Sequence, residues 1–371
     1  MLHNFTNWES NTCENWNQTS EKVITVVVKQ SFEFDEQGNV FPCESSEPIV
    51  QFDDFSGEPT SSSLVCANEM VAFKQGFELY GNFVAYPPKD TPAKVIEVKV
   101  ALIQTSDQGQ KELINKVLRV TGKRVWKKGF LGAVASDPEP ITQQVINYES
   151  TYGGTVIDER NPEKPPKLFE LNPAGRGYKL KSRHAKGVEL PRVEYPNDFQ
   201  KHPDKTISPA GYGPIPLFWE PRLSLQPEID EAALMKGEYP FSALQPENLF
   251  NYAPQDQQIK NTFCEGCSLV LRGFLPNQEY QSEIELKLPF LPPSLVLGCD
   301  DHFSYLDMVC DTLVIDIESQ RFDLIWRYSQ PISKIGKSDA FYIQPPEKLK
   351  QQLAKLAQNN TANNTAEGKV K

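Results

Sequence analysis

Apolar and polar residues alternate with a period of two along much of the chain. From Lys94 to Ile103, Ile96, Val98, Val100 and Leu102 fall on one face while Glu97 and Lys99 fall on the other, the pattern of a strand lying on a core. Phe32 and Phe34 share a face before a turn at Glu36-Gln37-Gly38-Asn39, which predicts half a hairpin. Leu79 to Val84 and Val117 to Trp126 are rich in β-branched and aromatic residues and predict two more strands. A second β block begins near Ser268. In it Ile284, Leu286 and Leu288 alternate with Glu283, Glu285 and Lys287, and Leu313, Ile315 and Ile317 lead through Glu318-Ser319-Gln320 into Phe322, Leu324, Trp326 and Tyr328. That last pair forms the clearest hairpin pattern.

The texture between the blocks differs. Asp158 to Pro227 holds 12 prolines in 70 residues, and each removes a backbone donor and fixes φ, which excludes long strands or helices. Phe169, Leu171, Tyr178, Tyr212, Phe218 and Trp219 lie in the same stretch and offer area to bury, so it is expected to be ordered and clamped across both blocks. A short helix is expected within Pro227 to Gly237, and another at Glu347 to Gln358 with Leu349, Leu353 and Leu356 on one face. The expected fold class is therefore mainly β, two antiparallel sandwich-like blocks joined by a long proline-rich irregular segment, with little helix. The boundaries are an N-terminal extension at 1–19, a first β domain at 20–157, the connecting segment at 158–262, a second β block at 263–345, and a short helix with an unstructured polar tail at 346–371.

Composition narrows the classes. Hydrophobic residues make up 39% of the 371, charged residues 23%, and no apolar run approaches the length of a membrane span. The start lacks a basic and an apolar region of the secretory kind, so a cytoplasmic location is expected. Lys plus Arg total 38 against 49 Asp plus Glu, a net charge of -11, which argues against nucleic acid as a partner. The most basic run, Lys179 to Lys186, is expected to be a solvated loop. Seven cysteines, an odd number, fit reduced thiols better than a disulfide framework.

Catalytic and metal chemistry finds little footing. Cys264-Glu265-Gly266-Cys267 has the spacing of a zinc knuckle, yet Cys299, His302 and Cys310 do not form a second close pair, so no metal is expected. The four histidines, His3, His184, His202 and His302, include none beside a nucleophile elbow, and His3 is expected at a frayed terminus. Carboxylate doublets at Asp53-Asp54, Asp158-Glu159 and Asp300-Asp301 keep open a glycan-acting hydrolase as the runner-up, although neighbours on a strand point to opposite faces. Three glycine-bearing motifs do not open a helix as a phosphate loop must, so no nucleotide or other cofactor is expected. Their glycines are expected to serve close backbone approach, with tyrosines packing over the gap.

Those motifs carry a resemblance. Tyr148-Glu149-Ser150-Thr151-Tyr152-Gly153-Gly154-Thr155, Asn172-Pro173-Ala174-Gly175-Arg176-Gly177-Tyr178, Leu190-Pro191 with Val193-Glu194, Pro209-Ala210-Gly211-Tyr212-Gly213-Pro214-Ile215 and Trp219-Glu220-Pro221-Arg222 occur in that order. Val125-Trp126 stands upstream, and Ala253-Pro254-Gln255-Asp256-Gln257 and Asp311-Thr312-Leu313 to Trp326-Arg327 stand downstream. Together they resemble the bacterial Domain of Unknown Function 2169 family over about residues 20–330. Val156 stands where that family usually has an aspartate. The resemblance implies a non-enzymatic adaptor or chaperone of the type VI secretion system. Its partners would be a secreted toxin effector or spike-tip domain and the spike protein, met in the cytoplasm without insertion into a membrane. It supplies no catalytic residues. Tyr152, Gly153, Gly154, Thr155, Asn172, Pro173, Gly175, Arg176, Gly177, Gly211, Tyr212, Gly213, Pro214, Trp219 and Arg222 are carried as structural or partner-binding positions. A third reading is a structural subunit of the secretion apparatus.

Overall fold

The computed structural model describes residues 1–130, 132–157, 161, 163–299 and 302–345. The fold is mainly β, with the single α-helix among the described residues at Glu231–Lys236. Asp230 caps that helix by accepting from the Ala232 and Ala233 amides, and Gly237 ends it at φ 71°. The helix expected at 347–358 lies outside the described residues.

Three sheets carry the core. The largest runs in the order Gln144–Ile146, Phe77–Ala85, Val309–Asp316, Arg321–Pro331, Lys22–Phe34 and Glu9–Trp16. A five-stranded sheet runs Val193–Glu194, Gly109–Thr121, Val95–Ser106, Cys267–Arg272 and Glu283–Lys287. A four-stranded sheet runs Leu2–Asn4, Ala340–Gln344, Ser294–Cys299 and His302–Asp307. One hydrophobic cluster joins all three, with Val26, Leu313 and Trp326 from the first, Val98, Leu118 and Leu269 from the second, and Leu295 and Phe341 from the third. The alternation of Ile96, Val98, Val100 and Leu102 is the inward face of the five-stranded sheet, and all four are buried.

Two expectations change. The β blocks of the sequence are interleaved and do not stand as separate units: Phe77–Ala85 pairs in parallel with Val309–Asp316, and Val95–Ser106 pairs with Cys267–Arg272. The inward faces from both halves fill one core, so neither half could bury its apolar side without the other. The first 19 residues, expected as an extension with His3 frayed, contribute two strands. Leu2–Asn4 lies parallel to Ala340–Gln344, His3 stacks on Tyr342 with ring centroids 5.1 Å apart, and Glu9–Trp16 edges the largest sheet against Lys22–Phe34. Backbone pairing fixes this segment despite its modest burial.

Lys22–Phe34 is covered on both faces. Val26 and Val28 join the main core, while Val27 meets Ile49 and Ile325 on the other side. Among the described residues from 161 to 227 the proline-rich segment forms two-residue strands and single 3-10 turns, yet Tyr212 and Trp219 within it are buried. Tyr212 ties the two large sheets together. Its hydroxyl donates to the Lys116 carbonyl at 3.0 Å, and its own carbonyl accepts from the Gly81 amide at 3.2 Å. Among the described residues no helix is long and apolar enough to cross a membrane.

Candidate functional site

The family-motif residues assemble into two adjoining knots. Asn172, fully buried, centres the first: its Nδ2 donates to the Tyr148 carbonyl at 2.9 Å, the Thr151 hydroxyl at 2.8 Å and the Tyr152 carbonyl at 3.0 Å. Gly153 and Gly175 make room for it, since a Cβ on Gly175 would come within 2.5 Å of Asn172 Nδ2. Gly154 holds φ at +106°, and Gly153 pairs with Gly177 across a short parallel bridge. Arg176 Nε donates to the Glu149 carbonyl at 2.8 Å and Thr155 Oγ1 to the Pro173 carbonyl at 3.4 Å. Tyr152 is buried edge-on against Phe169.

Tyr148 joins this knot to the second. Its ring stands edge-on to Trp219 at 5.6 Å and covers Gly211, where a Cβ would lie 3.1 Å from the ring. Its hydroxyl donates to the Gly213 carbonyl at 3.1 Å, one residue before Pro214. Arg222 is buried, donates from Nη1 to the Ile215 carbonyl at 2.6 Å, and stacks 3.9 Å over the Tyr252 ring. Thus the side chains of Asn172, Tyr212 and Arg222 bond to backbone carbonyls, while Trp219 packs against the Tyr148 ring.

In front of the second knot opens a cleft of about 960 Å³. Leu171, Pro209, Ile215, Pro221, Leu225 and Pro254 supply apolar wall, and Asn248, Gln255 and Gln258 supply amide groups. At its floor Lys116 Nζ donates to Asp256 Oδ1 at 2.8 Å and to Gln257 Oε1 at 2.7 Å. The Tyr195 hydroxyl donates to Asp256 Oδ2 at 2.8 Å. The ammonium also sits 5.5 Å from the Tyr195 ring and 5.6 Å from the Tyr212 ring, within cation–π range.

Electrostatics follow from this nest. Burial pulls the Lys116 ammonium down from its ordinary 10.5 to about 8, with the Asp256 carboxylate opposing. Burial, and then the same carboxylate, push the Tyr148, Tyr195 and Tyr212 hydroxyls well above their ordinary value. The loop bearing Asp256 is pinned from behind. Glu78, fully buried and ion-paired with Lys74, accepts from the Tyr252 amide at 2.8 Å and the Ala253 amide at 2.9 Å. Gln257 Nε2 donates to the Leu79 carbonyl at 2.7 Å and the Tyr212 carbonyl at 3.1 Å. Asp256 is thereby fixed at the cleft floor while its side chain stays 41% exposed, the one charged group of the nest that a ligand can reach.

Motif and spacing do not single out Lys116 or Tyr195, nor the roles of Asp256 and Gln257. A signal for Lys116 does exist: it occupies an inward position between Ile114 and Leu118, where a charge needs a partner. Of the carboxylate doublets, Asp53 accepts from the Asn68 amide at 2.8 Å and Asp54 lies in a strand beside Cys66, so they are separately employed. Asp158-Glu159 and Asp300-Asp301 lie outside the described residues. Cys264 accepts from Gln104 Nε2 at 2.9 Å, and burial raises the Cys267 thiol to about 11 at the start of its strand. No group of three metal-ligating side chains occurs among the described residues.

No curated protein and no solved structure matches the chain. A family model does match it over residues 19–327, a span that contains both knots, the cleft and the interleaved strands. The chain therefore belongs to the DUF2169 family, described as an uncharacterized protein conserved in bacteria.

Proposed function

We propose that this protein is a cytoplasmic adaptor that holds a type VI secretion effector, or its spike-tip domain, and helps load it onto the spike protein. The observation that carries the reading is the cleft. Motif residues distant in sequence build one open groove lined by apolar side chains and amides, with Lys116, Glu220, Arg222, Asp256 and Lys260 as its charged residues. That mixture suits an extended polypeptide, since apolar walls take alternate side chains and amides satisfy the backbone between them. Leu171 on its rim is 40% exposed, and beside the same knot Phe218 stacks on Phe55 while remaining 39% exposed, so the groove continues into apolar surface. The resemblance supplies the identity of the partner.

The test is reconstitution. The purified chain is mixed with each effector of its own secretion system and the complexes are resolved by size-exclusion chromatography. One cognate effector is expected to co-elute, and Leu225→Asp, which places a charge on the apolar wall, is expected to release it. Failure of every effector to bind refutes the reading.

A further inference from the structure

Leu295, Leu297, Phe341 and Ile343 turn one face of the four-stranded sheet into the main core. On its other face the register sets His3 beside Tyr342, Tyr342 beside Val296 and Val296 beside Tyr305. Phe303, opposite Gly298, and Phe5, stacked on Tyr342 with ring centroids 6.3 Å apart, extend that face. The Tyr342 and Phe303 rings close over Gly298, where a Cβ would come within 2.9 Å of one and 3.2 Å of the other. Phe303 is 67% exposed and Tyr305 69%. No residue lining the cleft belongs to this sheet.

A second observation concerns the edge. His302–Asp307 ends this sheet, and among the described residues its one strand partner is Ser294–Cys299. A sheet edge offers unpaired N–H and C=O groups, and proteins usually blunt it by shortness, charge or proline. The other end strands of the three large sheets follow that rule. Leu2–Asn4, Gln144–Ile146 and Val193–Glu194 are two or three residues long, Glu9–Trp16 carries two glutamates, and Glu283–Lys287 is charged at three of five positions. His302–Asp307 has six residues in regular register, no proline or lysine, and two exposed rings. Its one acidic residue, Asp307, is exposed and in no ion pair among the described residues.

We infer that this edge accepts a strand from another protein, an extended segment with apolar side chains at alternate positions and a lysine or arginine beside Asp307. Backbone groups along an edge are matched by another backbone, and the period of two between Phe303 and Tyr305 sets the spacing of the apolar side chains. Charge selects the sign of the partner. The net charge of -11 sets two copies of this chain against each other, whereas a basic segment is drawn to it and to Asp307. The inference concerns a different surface from the cleft and does not need the adaptor reading.

Fluorescence anisotropy of labelled acetyl-Lys-Val-Thr-Val-Thr-Val-Lys amide, titrated with the full chain, tests it. Saturable binding of one peptide per chain is expected. A counterpart with its central residue and one neighbour replaced by proline should bind about tenfold more weakly, since it loses backbone donors. The counterpart with glutamate at both ends should bind about fivefold more weakly, and Asp307→Asn should narrow that gap. Phe303→Ser with Tyr305→Ser, both at exposed positions outside the core, should weaken binding about tenfold without lowering the melting temperature. Absence of saturable binding, equal affinity for the proline peptide, or unchanged affinity in the double variant overturns the inference. A dimer in sedimentation equilibrium that the double variant dissolves also overturns it, and assigns the edge to a second copy.

Discussion

Lys116 Nζ lies 2.8 Å from Asp256 Oδ1, with the lysine side chain almost fully buried in the five-stranded sheet and the carboxylate open to the cleft. The pair connects the core to the surface on which the functional proposal rests. An inward charge is costly. Here Gln257 and two tyrosine rings share the compensation, and the same contacts fix the cleft floor.

A pH-dependent stability difference follows. Lys116 falls to about 8 in the folded chain against 10.5 when unfolded. Between those values the unfolded chain binds the extra proton, so this lysine makes stability rise with pH through that window. Below about pH 8 both states are protonated and the full cost of the buried charge is present. Lys116→Met removes the dependence. The variant's stability relative to the parent should therefore decline on going from pH 8 to 10.5, by on the order of 3 kcal/mol. Urea denaturation at several pH values measures it, and a constant difference contradicts the assignment.

Trp219→Ala should cost about 3 kcal/mol, the usual range for a buried aromatic. Trp219 is buried and backs the Tyr148 ring that roofs Gly211. Thermal or chemical denaturation checks this. Unchanged stability with lost partner binding would make Trp219 an interface anchor instead.

The Lys74–Glu78 pair is buried on both sides and holds the loop that carries Asp256. Glu78→Gln strands the lysine charge and is expected to cost about 3–5 kcal/mol. Lys74→Met with Glu78→Gln should cost less than Glu78→Gln alone, because no unpaired charge is then buried. A double variant no more stable than the single one contradicts the account.

Gly154→Ala is expected to cost about 2 kcal/mol or more, since φ is +106° and the new Cβ would meet the Gly175 carbonyl oxygen at 2.5 Å. Gly237→Ala, at φ +71° with open space around it, should cost about 1 kcal/mol. Denaturation of the two variants side by side separates backbone strain from close packing, and equal losses contradict the packing argument.

The local patterns were legible where alternate positions are apolar. Ile96, Val98, Val100 and Leu102, then Leu313 and Ile315, and Phe322, Leu324 and Trp326 show the faces that enter the main core, although Ile325 is buried on the opposite face as well. The interleaving was not, because the pairing of Leu79 with Leu313 joins residues far apart in the chain and leaves no trace in either segment's periodicity. The first strands escaped notice for a related reason. Their polar residues hide a placement made by backbone hydrogen bonds. At the site, the glycines around Asn172 and Tyr148 were visible as a pattern, whereas Lys116, Tyr195 and Asp256 converge only in three dimensions.

Binding through the cleft should depend only modestly on salt, since apolar contact at its walls is not screened and exposed charge pairs are. Complex affinity measured at 0.05 M and 0.5 M salt should differ by less than about tenfold, whereas phosphate-type or charge-driven recognition would fall far more steeply.

The most direct test of the adaptor account is the secretion of every effector from a strain lacking this gene. Delivery of one cognate effector should fall and be restored by the parent chain but not by Leu225→Asp, while other cargo is secreted at its normal level. Equal loss of all effectors, or loss of none, contradicts the account.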